Sequence, residues 1–162
     1  MTSHMIIELA EPGRNYKAGE NIEGVIKVLV DGYFDAASIS LRLYGVDKAS
    51  FLPMSESGKV QDSAPIRFSE TILDLNFKLC KFADNVMQEK HSAYPFSISL
   101  QEWLPESVML KDGFTTLAVI YFLTAQLDPR QDELFADKKQ NLSLCRDERI
   151  IYIYRDQAVL SD

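Results

Sequence analysis

The sequence predicts an all-β domain, a two-sheet antiparallel β-sandwich with at most one short helix. Three observations lead there. Apolar and polar residues alternate with period two over several stretches, as half-buried strands require because successive side chains point to opposite faces. Turn-forming pairs separate these stretches: Pro12-Gly13, Ala18-Gly19, Asp31-Gly32, Ser57-Gly58, Asp112-Gly113 and Asp128-Pro129. Few stretches hold a helical period for long, and short punctuated strands of this kind read as a sandwich.

The strands follow in order. Ile22, Gly24, Ile26, Val28 and Val30 alternate with Glu23, Val25, Lys27 and Leu29. After the Gly32 turn, Ala37, Ile39, Leu41 and Leu43 form one face and Ser38, Ser40, Arg42 and Tyr44 the other. Phe96, Ile98 and Leu100 alternate with Ser97 and Ser99. From Leu117 to Leu127 one face holds Leu117, Val119, Tyr121, Leu123, Ala125 and Leu127. Ala118, Ile120 and Phe122 on the other face suggest cover on both sides over its first half. Ile150 to Tyr154, β-branched and aromatic, closes the set. Residues 72–87 carry two patterns. Leu73, Leu75, Phe77 and Leu79 alternate like a strand, whereas Ile72, Leu75, Leu79, Phe82 and Val86 follow helical spacing. The reading favours a strand from about Arg67 to Leu79, then an irregular or helical turn to Lys90.

Length and composition fit one domain. A globular chain of 162 residues buries roughly 70% of its unfolded surface, enough for a core without metals or disulfides. The net charge of -7 repels a phosphate backbone. The densest basic stretch, Lys138-Lys139 with Arg146 and Arg149, is diluted by Asp137, Asp147 and Glu148 and reads as a solvated loop. Cys80 and Cys145 have neither CxxC nor zinc-ligand spacing; they read as free thiols of a reducing compartment. The longest apolar run, Leu117 to Leu123, is too short to span a bilayer. Met1 to Met5 has no signal-peptide core and reads as a cloning remnant. The Asn141-Leu142-Ser143 sequon then reads as chance.

Catalytic chemistry finds little to use. His4 and His91 are the only histidines, and nucleophile, metalloprotease, dinucleotide and phosphate-loop signatures are absent. The expectation is therefore no enzyme, no cofactor, and no catalytic or metal-ligating residue. Asp128, Asp132, Glu133 and Asp137 cluster, and Glu8 to Glu11 is a weaker acidic group; neither has the spacing of a calcium loop. Trp103, the single tryptophan, reads as part of a packed strand exit rather than a sugar-binding platform. Two polar stretches, Ser50 to Ala64 and Asp128 to Gln140, read as long loops, with a helical turn over Glu133 to Lys139 as an option.

Three ordered motifs resemble the arrestin N-terminal domain. Tyr16-Lys17-Ala18-Gly19-Glu20-Asn21-Ile22-Glu23-Gly24 is similar to that family's aromatic-x-x-Gly-Glu-x-hydrophobic-x-Gly pattern. Tyr94-Pro95-Phe96-Ser97-Ile98, followed by Leu104-Pro105-Glu106-Ser107, is similar to its aromatic-Pro-Phe strand and Leu-Pro-x-Ser turn. Tyr121-Phe122-Leu123-Thr124-Ala125 is similar to its Tyr-x-hydrophobic-x-Ala strand. Gly19 would permit a turn and Gly24 a close backbone approach. Pro95 would fit a strand start. The resemblance runs from about Ile6 to Gln157. It implies an immunoglobulin-like arrestin N-domain over residues 6–157, with 1–5 a remnant and 158–162 a tail or the start of a linker to a second domain.

The resemblance also implies a job. Arrestin-like proteins are adaptors or scaffolds that bind cytoplasmic tails or loops of membrane proteins in trafficking, endocytosis and signalling. A retromer-type endosomal sorting subunit is a related alternative, and a calcium- or carbohydrate-binding sandwich belongs to another class. The expected setting is the cytoplasm, at endosomal or plasma membranes and associated through partners, with no nucleic acid. The partner-binding expectation falls on Ser55, Glu56, Ser57, Gly58 and Lys59, in the long polar loop. Two departures stand out. Where receptor-binding arrestins carry paired lysines in the first strand, this chain reads Ile6-Ile7-Glu8-Leu9. Tyr154 or Arg155 falls where that branch has a core arginine, and a one-residue shift would reverse its face. A phosphate-triggered switch is therefore not expected.

Overall fold

A computed structural model describes residues 3–30, 34–52, 65–82, 86–87, 91–128 and 145–156. In these the chain is all β, with no helix, so none that could cross a membrane. The first sheet is β1 (Ser3–Leu9), β3 (Asn21–Val30) and β8 (His91–Ser99), in the order β1-β3-β8 and antiparallel throughout. The second holds β5 (Ser38–Phe51), β6 (Ile66–Lys81), β10 (Thr115–Asp128) and β11 (Arg146–Ile151) in the order β11-β10-β5-β6. Beside β11, the same edge of β10 is completed by β9 (Val108–Asp112). Two short pairings finish the fold: β2 (Tyr16–Lys17) with β12 (Ile153–Tyr154), parallel, and β4 (Phe34–Asp35) with β7 (Val86–Met87).

Alternation decides which side chains meet. Ile22, Ile26, Val28 and Val30 of β3 face Leu41, Leu43, Leu123, Ala125 and Leu127 of the second sheet in one buried core. Each of these valine, leucine and isoleucine side chains, fully buried, contributes about 1.5–3 kcal/mol relative to exposure. Gly24 belongs to the same inward series for a steric reason. A Cβ there would lie 2.6 Å from the Glu8 carbonyl oxygen and 2.8 Å from Phe96 Cζ. The position thus fixes how closely β1, β3 and the Phe96 ring pack.

Some expectations need correction. Val86 lies in a two-residue strand rather than a helical turn, and β6 runs on to Lys81. The helical spacing has a β explanation. The β5–β6 pairing skips one residue of β6 between Gly45 and Val46, and another between Ile39 and Ser40. The skipped residues are Ile72 and Leu79, and both pack against the core. Two bulges break strict alternation and leave apolar residues three and four apart. Pro95 lies within β8, opposite Val25, rather than at its start. It is tolerated because β8 is an edge strand, which can turn a proline nitrogen to its open side. Leu117 is 44% exposed although it shares the face of buried Tyr121 and Leu123, because the second sheet outruns the first at this end. Cover on both sides of the first half of β10 is limited, with Ala118 buried but Ile120 and Phe122 only half-buried.

Candidate functional site

The sheets differ in length, and the excess lies at one end. At roughly 3.3 Å per residue, the 14- and 16-residue strands β5, β10 and β6 outrun the 10- and 9-residue β3 and β8 by more than ~10 Å. The core closes at Tyr121, whose hydroxyl donates to the Pro105 carbonyl at 2.6 Å. Burial pushes this phenol up to about 12, with Arg155 pulling weakly the other way. Beyond that lid, the inward face of the second sheet continues with nothing from the first sheet opposite. Leu110, Leu117, Ala49 and Phe68 stand in one row across β9, β10, β5 and β6. Phe51 and Ile66 form the next pair outward. Leu110 and Phe68 are more than half exposed.

The outward face of the same strand ends is cationic. One row reads Lys111, Thr116, Ser50 and Arg67, and the next Met109, Ala118, Lys48 and Ser69. Eight positions hold three cations and no carboxylate. Elsewhere most described cations are matched. Arg14 meets Glu11 and Glu20, Lys17 meets Asp156, Lys27 meets Glu8, and Arg146 meets Glu148. Lys48, Arg67 and Lys111 are exposed and form no ion pair among the described residues.

The β5–β6 pair is braced within the body, on the face opposite buried Leu41 and Leu43. Arg42 grips Asp74 through Nε and Nη2 at 2.8 and 2.9 Å, and its guanidinium lies 4.6 Å from the centre of the Tyr44 ring. That hydrogen-bonded guanidinium holds the Asp74 carboxyl below its ordinary value, and the carboxylate raises Arg42. Both side chains are about half exposed, so the brace adds little to stability.

Ser55, Glu56, Ser57, Gly58 and Lys59 fall outside the described residues, as do Asp132, Glu133, Asp137, Lys138 and Lys139. The structure does describe the arm that carries the first group: β5 and β6 stay paired to Phe51 and Ile66. Of the acidic cluster, Asp128 is described, and it accepts from Ser38 and Ser40 at 2.6 and 2.8 Å, tying strand ends together. Glu11 is engaged by Arg14. Among the described residues no group of three or more His, Cys, Asp or Glu could hold a metal. Cys145 is buried, Cys80 is half-buried and neither forms a disulfide among the described residues. Trp103 is 57% exposed beside fully buried Leu104, which corrects the packed exit expected for it. Arg155 is exposed, and its Nη1 donates to the Leu104 carbonyl at 3.1 Å. Ser38 and Thr124 are the buried polar residues among those described, so no charged group occupies the described core.

Sequence reasoning missed the apolar overhang. Its signal is present, because Phe51, Ile66 and Phe68 flank the polar loop and Leu117 begins a long strand. Alternation alone assigns such residues to a core and is blind to where the facing sheet stops.

No family model matches the chain, and no curated protein matches it by sequence. The solved structures do offer a likeness. The crystal structure of Spo0M, a sporulation control protein from Bacillus subtilis, matches 93% of this chain with a TM-score of 0.55 at 17% identity. The chain spans about half of that protein's length, 49%. At this identity the likeness is one of fold: the domain is an arrestin-like antiparallel β-sandwich.

Proposed function

We propose that this domain is a non-catalytic adaptor, capturing cytoplasmic tails or loops of membrane proteins for trafficking, endocytic or signalling machinery at endosomal or plasma membranes. The observation that carries this reading is the β5–β6 arm. It projects beyond the body of an arrestin-like sandwich, remains paired to Phe51 and Ile66, and is joined in sequence by the polar stretch containing Ser55, Glu56, Ser57, Gly58 and Lys59. A stiff paired arm on either side of a polar stretch suits peptide capture, because the sheet fixes where that stretch starts and ends. The described core holds no buried charge and β1 reads Ile6-Ile7-Glu8, which favours constitutive capture over a phosphate-triggered one.

The test removes Gly58 to Asp62. The immobilised domain and the deletion variant are incubated with detergent-solubilised membrane proteins, and captured chains are identified by mass spectrometry. The deletion should leave the melting temperature within about a degree and lose the captured membrane proteins. Equal capture by both would remove the loop from the function. Capture of soluble proteins alone would remove the adaptor reading.

A further inference from the structure

We infer that the overhanging end of the second sheet is a docking surface for a phospholipid bilayer bearing anionic headgroups. Two independent features of that end agree. Its inward face presents Leu110, Leu117, Phe68, Phe51 and Ile66, each between 42% and 58% exposed, and Phe114 at the adjoining turn is 59% exposed. Together they expose roughly 500 Å² of apolar surface, near the top of what a monomer shows in one patch. Its outward face carries Lys48, Arg67 and Lys111 in two rows without a carboxylate, in a chain whose net charge is -7.

This pairing selects the occupant. A second copy of the chain is disfavoured on charge, since a two-fold contact through this end would bring its three cations against the same three on the partner. A soluble apolar ligand would account for the patch but not for three cations behind it that form no ion pair among the described residues. An interfacial lipid layer accounts for both. Aromatic and aliphatic tips enter the acyl boundary, and long cationic side chains reach the phosphate level from the strand ends. Asp47 and Glu70 lie one row back toward the body, opposite one another across β5 and β6. With exposed Asp112, which stands on the face of Leu110 one pair further out, they bound the apolar face and limit how deeply it inserts.

The inference does not rest on tail capture, and protein-free vesicles separate the two. The intact chain is sedimented with vesicles of phosphatidylcholine alone and with vesicles containing phosphatidylserine. Two variants accompany it: K48Q/R67Q/K111Q, and F68Q/L110Q. All five positions are exposed, so both variants should melt like the parent; L110Q alone serves if the pair does not. The parent should pellet with phosphatidylserine vesicles, and more weakly at high salt. The triple variant should lose roughly a hundredfold in partitioning, at about a factor of five per cation. The apolar variant should lose at least about tenfold. Failure of the parent to bind either vesicle overturns the inference, as does equal binding to both. Unaltered binding by either variant overturns it too. Concentration-dependent dimers that F68Q/L110Q abolishes, without vesicle binding, would assign the face to self-association instead.

Discussion

The ring of Tyr121 lies directly on the backbone of Gly45, so that a Cβ added at Gly45 would stand 2.7 Å from Tyr121 Cε1 and 2.8 Å from Cδ1. The two residues are register partners on β5 and β10. The ring cannot retreat easily: Tyr121 is fully buried and its hydroxyl is held by the Pro105 carbonyl. The glycine therefore lets one aromatic side chain close the core at the end where the second sheet outruns the first.

Gly45→Ala tests this closure. Overpacking a buried contact of this kind costs about 1–3 kcal/mol, so thermal or denaturant unfolding should show a loss of that order. Pairing it with Tyr121→Leu should relieve part of the clash. The double variant would then be more stable than the sum of the single losses predicts. Strict additivity would show that the ring and the glycine do not constrain each other.

The same tyrosine sets an alkaline limit. Its folded value of about 12 lies above the ordinary value near 10 for an unfolded chain. The sign follows from linkage: the neutral phenol is favoured in the fold, so its contribution is intact below pH ~10 and declines as pH rises toward ~12. Tyr121→Phe removes the titrating group and its bond to Pro105. It should start less stable by about 1 kcal/mol and lose stability less steeply between those pH values. Parallel pH profiles for the two proteins would show that Tyr121 does not titrate differently in the folded and unfolded chains.

How much of this was legible in the sequence depended on whether one strand carried the information. Ile22 to Val30 and Ile39 to Leu43 announce their inward faces, and both are buried as their alternation indicates. Ile72 and Leu79 misled because a bulge is a property of a strand pair, and the one-residue offsets against β5 are visible only once the strands are paired. The arm presenting the expected loop was legible as two strands flanking a polar stretch. The apolar overhang was not, because the exposure of Leu117 depends on where β3 and β8 end, and those lie far away in sequence. Nor could spacing bring Lys48, Arg67 and Lys111 to one face; that requires the registers of β5, β6, β9 and β10.

The last relationship to test joins the two sheets at their other edge. The Ile7 amide on β1 donates to Asp147 Oδ2 of β11 at 2.8 Å. Arg149 approaches the same oxygen at 3.4 Å, and the Glu148 amide donates to Oδ1 at 3.0 Å. β1 is an edge strand, so an outward amide would otherwise be open to water or to another strand. Asp147→Ala should cost about 1.5–3 kcal/mol, as loss of a hydrogen bond to a charged group does. Asp147→Asn keeps a carbonyl acceptor and should cost less. Hydrogen exchange resolves the mechanism. The Ile7 amide should exchange faster in Asp147→Ala, while the Ile26 amide of buried β3 follows only the change in global stability. If Ile7 keeps its protection relative to Ile26, the carboxylate is not what shields this edge.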